Sequence, residues 1–283
     1  MDNIKAGFIG CGNMGGVLAA VAAKALGLTP GLKSRAVDGP AVLVTDHNKE
    51  KVSQLVETFG CKASSAEEIA RKCDMIFLGV KPQAMDKACA EIRPALEKRL
   101  KLEEQFCIVS MAAGLKIEAF DKMLGQVPVI RMMPNTPCAT GAGAILYTPG
   151  NLVSKENEQT FMTLMQPAGI ILRMEEAKID KGCAVSGCGP AFVYMFIDAL
   201  IDAGVRIGLP RAEAKQLAIQ TVLGSAMMCA QGGASEPAKL KADVCSPGGS
   251  TIEGVVALEE YAFYAAIMEA VKASYERTVE LGK

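Results

Sequence analysis

The sequence predicts an α/β fold: a doubly wound parallel sheet over residues 1–173, followed by an all-helical domain over residues 174–283. Three observations carry this. Short apolar runs alternate with helical patterns through the first part of the chain. A glycine-rich turn joins the first run to the first helix. Strand-like runs stop after about Arg173.

In chain order, Lys5-Ala6-Gly7-Phe8-Ile9 reads as a strand and Met14 to Leu26 as an Ala-rich helix. Ala41 to Thr45 is a second strand, Lys49 to Phe59 a second helix and Glu67 to Lys72 a short one. Met75 to Val80 is continuously apolar, as expected of a strand buried on both faces. Phe106 to Ser110, Val127 to Arg131, Ala142 to Tyr147 and Gly169 to Arg173 complete the strands. Beyond them, Ala191 to Ala203 is apolar on nearly every face, so that helix must be covered all round, in a core or a subunit interface. Leu209-Pro210 opens a helix from Arg211 to about Cys229, with Pro in its first turn. A Gly-Gly loop precedes a helix from Glu236 to Val244, and Ser246-Pro247-Gly248-Gly249 is a strong breaker. The last helical stretch runs from about Thr251 to Leu281, with a break near Glu259 to Tyr261.

Charge and composition exclude several functions. Lys plus Arg is 30 against 31 for Asp plus Glu, which leaves no basic footprint for nucleic acid or an anionic membrane. The single histidine, His47, rules out three-His zinc sites and two-His iron sites, so no metal site is expected. The ten cysteines never form a CxxC pair, and they read as reduced core residues of a cytoplasmic protein. Val17 to Leu28 is apolar, but only Asp2 and Lys5 precede it, so it is not read as a signal peptide. Ala191 to Leu209 carries Asp198, Asp202 and Arg206, which argues against a membrane span.

Gly10-Cys11-Gly12-Asn13-Met14-Gly15 matches G-x-G-x-x-G directly between a strand and a helix. In this Rossmann-like setting Gly10 makes the tight turn and Gly12 lets a pyrophosphate approach the backbone. Gly15 allows close helix packing, while the helix N-terminus favours the phosphates. Asp46, at the end of the second strand, is placed to bond a ribose 2′-hydroxyl and repel a 2′-phosphate. It lies farther from the glycines than the usual ~20 residues, in part because of the insert Thr29 to Pro40. His47, Asn48 and Lys49 beside it could hold a phosphate, so NADH and NADPH both stay open. In the helical part, Gly248, Gly249 and the next helix start form an anion nest suited to a carboxylate, with the Thr251 hydroxyl beside it.

These segments together resemble pyrroline-5-carboxylate reductase, and the resemblance covers essentially the whole chain. It rests on the glycine loop, on Val80-Lys81-Pro82-Gln83, on Ala112-Ala113-Gly114 and on Arg131-Met132-Met133-Pro134-Asn135-Thr136-Pro137. Ser186-Gly187-Cys188-Gly189-Pro190-Ala191, Gly208-Leu209-Pro210-Arg211 and Ser246 to Ile252 continue it. The resemblance implies reduction of 1-pyrroline-5-carboxylate to L-proline by NAD(P)H. It places the cofactor on Gly10 to Gly15, Asp46, His47, Val80, Lys81, Pro82, Ala112, Ala113, Gly114, Pro134 and Asn135. It places the substrate on Val244, Gly248, Gly249, Ser250 and Thr251, with Thr251 as the catalytic hydroxyl. It also implies a homodimer, or a larger assembly of dimers, through the helical domain.

The sequence departs from the family at Cys188, where Ser is usual, and at Glu236, where His is frequent. It departs again at Ala242, where Asp is frequent, and at His47, where Arg is frequent. The opening segment is also similar to β-hydroxyacid dehydrogenases. Those need a catalytic Lys on a long helix after the cofactor domain, and Ala184 to Ala203 contains none. A non-catalytic nucleotide sensor would not need the Ser246 to Thr251 loop. A thiol sensor would need a reactive cysteine, for which Cys11 is the candidate.

Overall fold

The computed structural model describes residues 3–29, 39, 41–231 and 236–281. The predicted Gly-Gly loop and most of the Thr29 to Pro40 insert lie outside the described residues. The first part of the chain contains β1 (Lys5–Ile9), α1 (Asn13–Ala25), β2 (Ala41–Thr45), α2 (Lys49–Phe59), β3 (Lys62–Ala63), α3 (Ala66–Lys72) and β4 (Met75–Leu78). It continues with α4 (Met85–Lys101), β5 (Cys107–Ser110), α5 (Ile117–Leu124), β6 (Val129–Met133), β7 (Gly143–Pro149), α6 (Lys155–Met165), β8 (Gly169–Arg173) and α7 (Glu176–Ser186). The helical part contains α8 (Gly189–Arg206), α9 (Arg211–Gln231), α10 (Pro237–Asp243), α11 (Ser250–Glu260) and α12 (Phe263–Leu281).

The strands form one eight-stranded sheet in the order β3-β2-β1-β4-β5-β6-β7-β8. Side chains of β1 alternate between its two faces. Phe8, with Val44, Phe77 and Val109, packs under α1, α2 and α6 through Leu18, Leu55 and Phe161. Ile9, with Leu43, Ile76 and Ile108, packs under α3, α4 and α5 through Ile69, Ile92 and Phe120. Phe8 and Phe77 stack on neighbouring strands with centroids 4.3 Å apart. A sheet covered on both faces needs strands apolar throughout, which is why β4 has no polar alternation.

The sheet is mostly parallel rather than wholly so, because β7 runs antiparallel to β6. Only residues 134–142 join them. A parallel crossover needs a dozen or more residues, so the chain can return only antiparallel. Helix α4 was not evident in the sequence, since Pro94 sits inside it. Pro94 and Ala90 are both exposed there, so water can satisfy the carbonyl that the proline leaves unpaired. The break in the last helical stretch falls at Ala262, whose φ is 57°.

The chain forms two compact units, Met1–Gly187 with Tyr275–Lys283, and Cys188–Ser274. The second unit has a small core of its own, Ile201, Ala214 and Ala218 with Ile197, Leu200 and Leu209 against it. It leaves large apolar side chains such as Tyr194, Met195, Leu217 and Met228 exposed. By length and composition alone the stretch Glu176–Arg206, which holds α7 and α8, is apolar enough to cross a membrane, a test that core helices of soluble proteins also pass. The acids on that stretch are paired rather than bare: Arg211 reaches Asp202 at 2.7 Å and Asp198 at 3.8 Å.

Candidate active site

The glycine loop sits at the carboxyl end of β1, where the strand order turns from β2 on one side to β4 on the other. Gly10 has φ +93°, and a Cβ there would stand 2.7 Å from the backbone of Gly79 and Val80. At Gly15 a Cβ would overlap the Gly10 carbonyl oxygen. Both positions therefore need glycine for packing. Gly12 differs, because a Cβ there would meet nothing within 4 Å. No side chain caps α1 and no acid stands in its first turn. The loop thus leaves open space in front of unpaired N–H groups at a helix N-terminus, which fits a pyrophosphate. Beside it lies a cavity of about 880 Å³, lined by Gly10, Asn13, Asp46, His47, Val80 and Lys81 among others.

Asp46 is turned toward the backbone. Its Oδ2 accepts the Cys11 N–H at 2.7 Å and its Oδ1 accepts the Asn48 N–H at 2.8 Å. Its side chain is 5% exposed, whereas His47, with Nδ1 at 3.1 Å from Oδ1, is 97% exposed. The Cys11 thiol is buried, with Sγ 3.6 Å from the Thr45 carbonyl. Burial, reinforced by the Asp46 charge, pushes it up to about 12, so the thiol-sensor idea fails at this residue.

The other predicted cofactor residues follow the carboxyl ends of the neighbouring strands. Val80, Lys81 and Pro82 follow β4, and Val80 and Lys81 line the cavity. Ala112, Ala113 and Gly114 follow β5, with Gly114 at φ +75°. Pro134 and Asn135 follow β6. The Asn135 side chain is engaged in structure: it donates to the Ser186 carbonyl at 3.0 Å and accepts the Ala144 N–H at 2.8 Å. Lys51 of α2 and Lys87 and Glu91 of α4 also line the cavity. Sequence gave no pointer to these three, because each reads as an ordinary exposed helix residue.

In the helical unit, Gly248 takes φ +67°, a left-handed conformation that costs glycine little. Gly249 is the N-cap of α11 and makes no side-chain cap. Ser250 opens the helix one residue earlier than the sequence predicted. Ser250 and Thr251 are exposed, as is Val244 at the end of α10. The first-turn N–H groups and two hydroxyls thus gather at one helix start, an arrangement suited to an anion with a hydrogen-bonding neighbour. Lys241 of α10 reaches Glu259 of α11 and the Tyr264 hydroxyl of α12, each at 3.5 Å, and so braces the helices flanking the loop.

A family model for pyrroline-5-carboxylate reductase dimerisation matches residues 176–281. A model for coenzyme F420-dependent NADP oxidoreductases matches residues 5–114. The pyrroline-5-carboxylate reductase of Escherichia coli is 39% identical over 99% of this chain and 98% of its own length. The chain belongs to the pyrroline-5-carboxylate reductase family. Another member, from Arabidopsis thaliana, is 37% identical over 100% of this chain and 97% of its own. Among solved structures, the NADP-bound pyrroline carboxylate reductase of Plasmodium falciparum superposes with a TM-score of 0.82 and 32% identity, covering 99% of this chain and 100% of that one. An NADH-preferring ketol-acid reductoisomerase at 15% identity and a TM-score of 0.61 shares the fold alone.

Proposed function

We propose that the chain reduces 1-pyrroline-5-carboxylate to L-proline with NAD(P)H, with residues 1–173 carrying the dinucleotide and residues 174–283 the substrate. The observation that carries the cofactor half is the open space in front of Gly12 at an uncapped helix N-terminus. The family membership carries the reaction.

A bound dihydronicotinamide supplies the hydride that reaches the C=N carbon of the substrate. The protein's own work is to bind, orient and deliver a proton. The loop Gly10 to Gly15 holds the pyrophosphate on the N–H groups at the start of α1, the N–H groups of Gly10 and Cys11 being bonded to Thr45 and Asp46, and Asp46 and His47 stand at the adenosine end. Val80, Lys81 and Pro82 line the dinucleotide's path. Ala112, Ala113, Gly114, Pro134 and Asn135 lie toward the nicotinamide end. Asn135 acts there through its backbone and by fixing the β6–β7 connection, since its side chain is already bonded. In the helical unit, the N–H groups of Gly248 and Ser250 grip the substrate carboxylate, Gly249 shapes the turn with its own N–H on the Ser246 carbonyl at 3.0 Å, and Val244 packs against the ring. The Thr251 hydroxyl bonds the imine nitrogen, and the proton that the nitrogen needs as the C–H bond forms is passed through that hydroxyl from solvent, which restores it, or arrives with an already protonated imine. Holding two reactants aligned can remove roughly 7–11 kcal/mol from a barrier.

The exposed apolar side chains of the helical unit support a homodimer, or a larger ring of dimers, in which a second copy covers them. Such a soluble assembly fits the cytoplasm. The test is direct: incubation with 1-pyrroline-5-carboxylate and NADPH or NADH should yield proline in step with cofactor oxidation. Cofactor binding without turnover would instead favour a nucleotide sensor.

A further inference from the structure

We infer that Asp46 is a positioning residue that locks the phosphate loop, rather than a ligand of the cofactor ribose, and that it therefore serves NADH and NADPH alike. This rests on the dinucleotide site proposed above. An acid that reads a ribose hydroxyl must turn a free oxygen toward the ligand. Here both oxygens are engaged within the protein, Oδ2 by the Cys11 N–H at 2.7 Å and Oδ1 by the Asn48 N–H at 2.8 Å with His47 Nδ1 at 3.1 Å, and only 5% of the side chain is exposed. The Cys11 N–H lies in the middle of the G-x-G turn. The preceding N–H, of Gly10, bonds the Thr45 carbonyl at 2.9 Å. Two consecutive bonds from the end of β2 thus fix the loop conformation that leaves Gly12 open. The bond from Oδ1 to Asn48 does the same for the start of α2, where the Asn48 side chain accepts the N–H groups of Glu50 and Lys51.

The discriminating groups at the adenosine end are then different ones. Asp46 stands in the cavity wall with only 5% of its side chain exposed. His47 is 97% exposed and lines the same cavity, as does Lys51. A 2′-phosphate arriving there meets a lysine cation and an imidazole before it meets the Asp46 carboxylate, whose charge is directed into the loop. The acid at the end of β2, which by position announces NADH, thus leaves NADPH admissible in this chain.

Equilibrium binding of NADPH and NADH, without imine, tests this on the wild-type chain and on Asp46→Asn, Asp46→Ala and Lys51→Ala. The amide of Asp46→Asn keeps the shape but can accept only one of the two N–H bonds. Loop locking predicts that Asp46→Asn weakens both cofactors by roughly tenfold, with nearly equal factors, and lowers the melting temperature of the ligand-free chain. Lys51→Ala should weaken NADPH while leaving NADH within about twofold. A ribose ligand predicts a different split: Asp46→Asn or Asp46→Ala weakens NADH alone and leaves NADPH unchanged or tighter. That split, or no change in either affinity, overturns the inference while the dinucleotide site stands. A wild-type chain that binds neither nucleotide overturns both. If Asp46→Ala does not fold, the isosteric Asp46→Asn still reads the split.

Discussion

At the residue scale, the three motif glycines separate into different duties, and substitution should tell them apart. Alanine at Gly12 meets nothing within 4 Å and keeps an ordinary φ of −62°. Gly12→Ala should therefore leave the melting temperature within about 2 °C while weakening NAD(P)H binding at least tenfold, since the methyl group occupies the pyrophosphate's space. Gly15→Ala should lose both, with a stability cost of about 1–3 kcal/mol, because its methyl overlaps the Gly10 carbonyl. Thermal melts and cofactor titrations on the two variants check this. The buried thiols of Cys11 and Cys61, both pushed up to about 12 by burial, should resist a thiol reagent at pH 8 in the folded chain and react after unfolding, while exposed Cys229 reacts at once. Rapid native labelling of Cys11 would contradict its placement. The glycine pattern was legible in sequence because its parts are adjacent. The Asp46 bond to Cys11 was not, since it joins residues 35 positions apart through a side chain whose direction no local pattern reveals.

At the element scale, two buried arginines do work that no motif announces. Arg99 of α4 donates to the Ala70 and Cys73 carbonyls, at 3.0 and 2.7 Å, and to the Gln105 carbonyl at 2.6 Å. It thereby caps the end of α3 and ties it to the start of β5, with Phe106 under the guanidinium at 5.0 Å. Arg99→Met leaves those carbonyls without donors and should cost about 2–4 kcal/mol in urea denaturation; a loss below about 0.5 kcal/mol would refute the capping role. Arg131 of β6 is fully buried and holds α7 through Asp180 at 2.5 Å, with Glu176 at 3.7 Å. Its place in the Arg131 to Pro137 motif marked it in sequence, but not its structural role. Strand and helix types followed from apolar periodicity. What stayed hidden were α4, masked by Pro94, β3, only two residues long, the helices α5, α6 and α7, and the direction of β7, a strand whose antiparallel course depends on the length of its connection more than on its composition.

At the scale of the whole molecule, the sheet unit buries most of its apolar side chains, edge strand β8 with exposed Ile170 and Leu172 aside, and the helical unit does not. Tyr194, Met195 and Ile207 are 59%, 72% and 82% exposed in a single chain. A soluble protein seldom leaves such surface bare, and covering it by a second copy makes stability depend on concentration. Light scattering should therefore show a dimer or a multiple of it, and the melting temperature should rise with protein concentration; a monomer with a concentration-independent transition would contradict the assignment. That the helical unit needs cover, in a core or an interface, was legible from the all-round apolar Ala191 to Ala203 helix. The central claim, that the substrate is held and protonated by the helical unit while the cofactor is held by the sheet unit, meets its most direct test in steady-state kinetics of Thr251→Ala. In Thr251→Ala, kcat/KM for 1-pyrroline-5-carboxylate should fall by roughly 10²–10⁴, while the affinity for NAD(P)H stays within about twofold. Unchanged kcat/KM at every pH, or a loss of cofactor affinity instead, would contradict it.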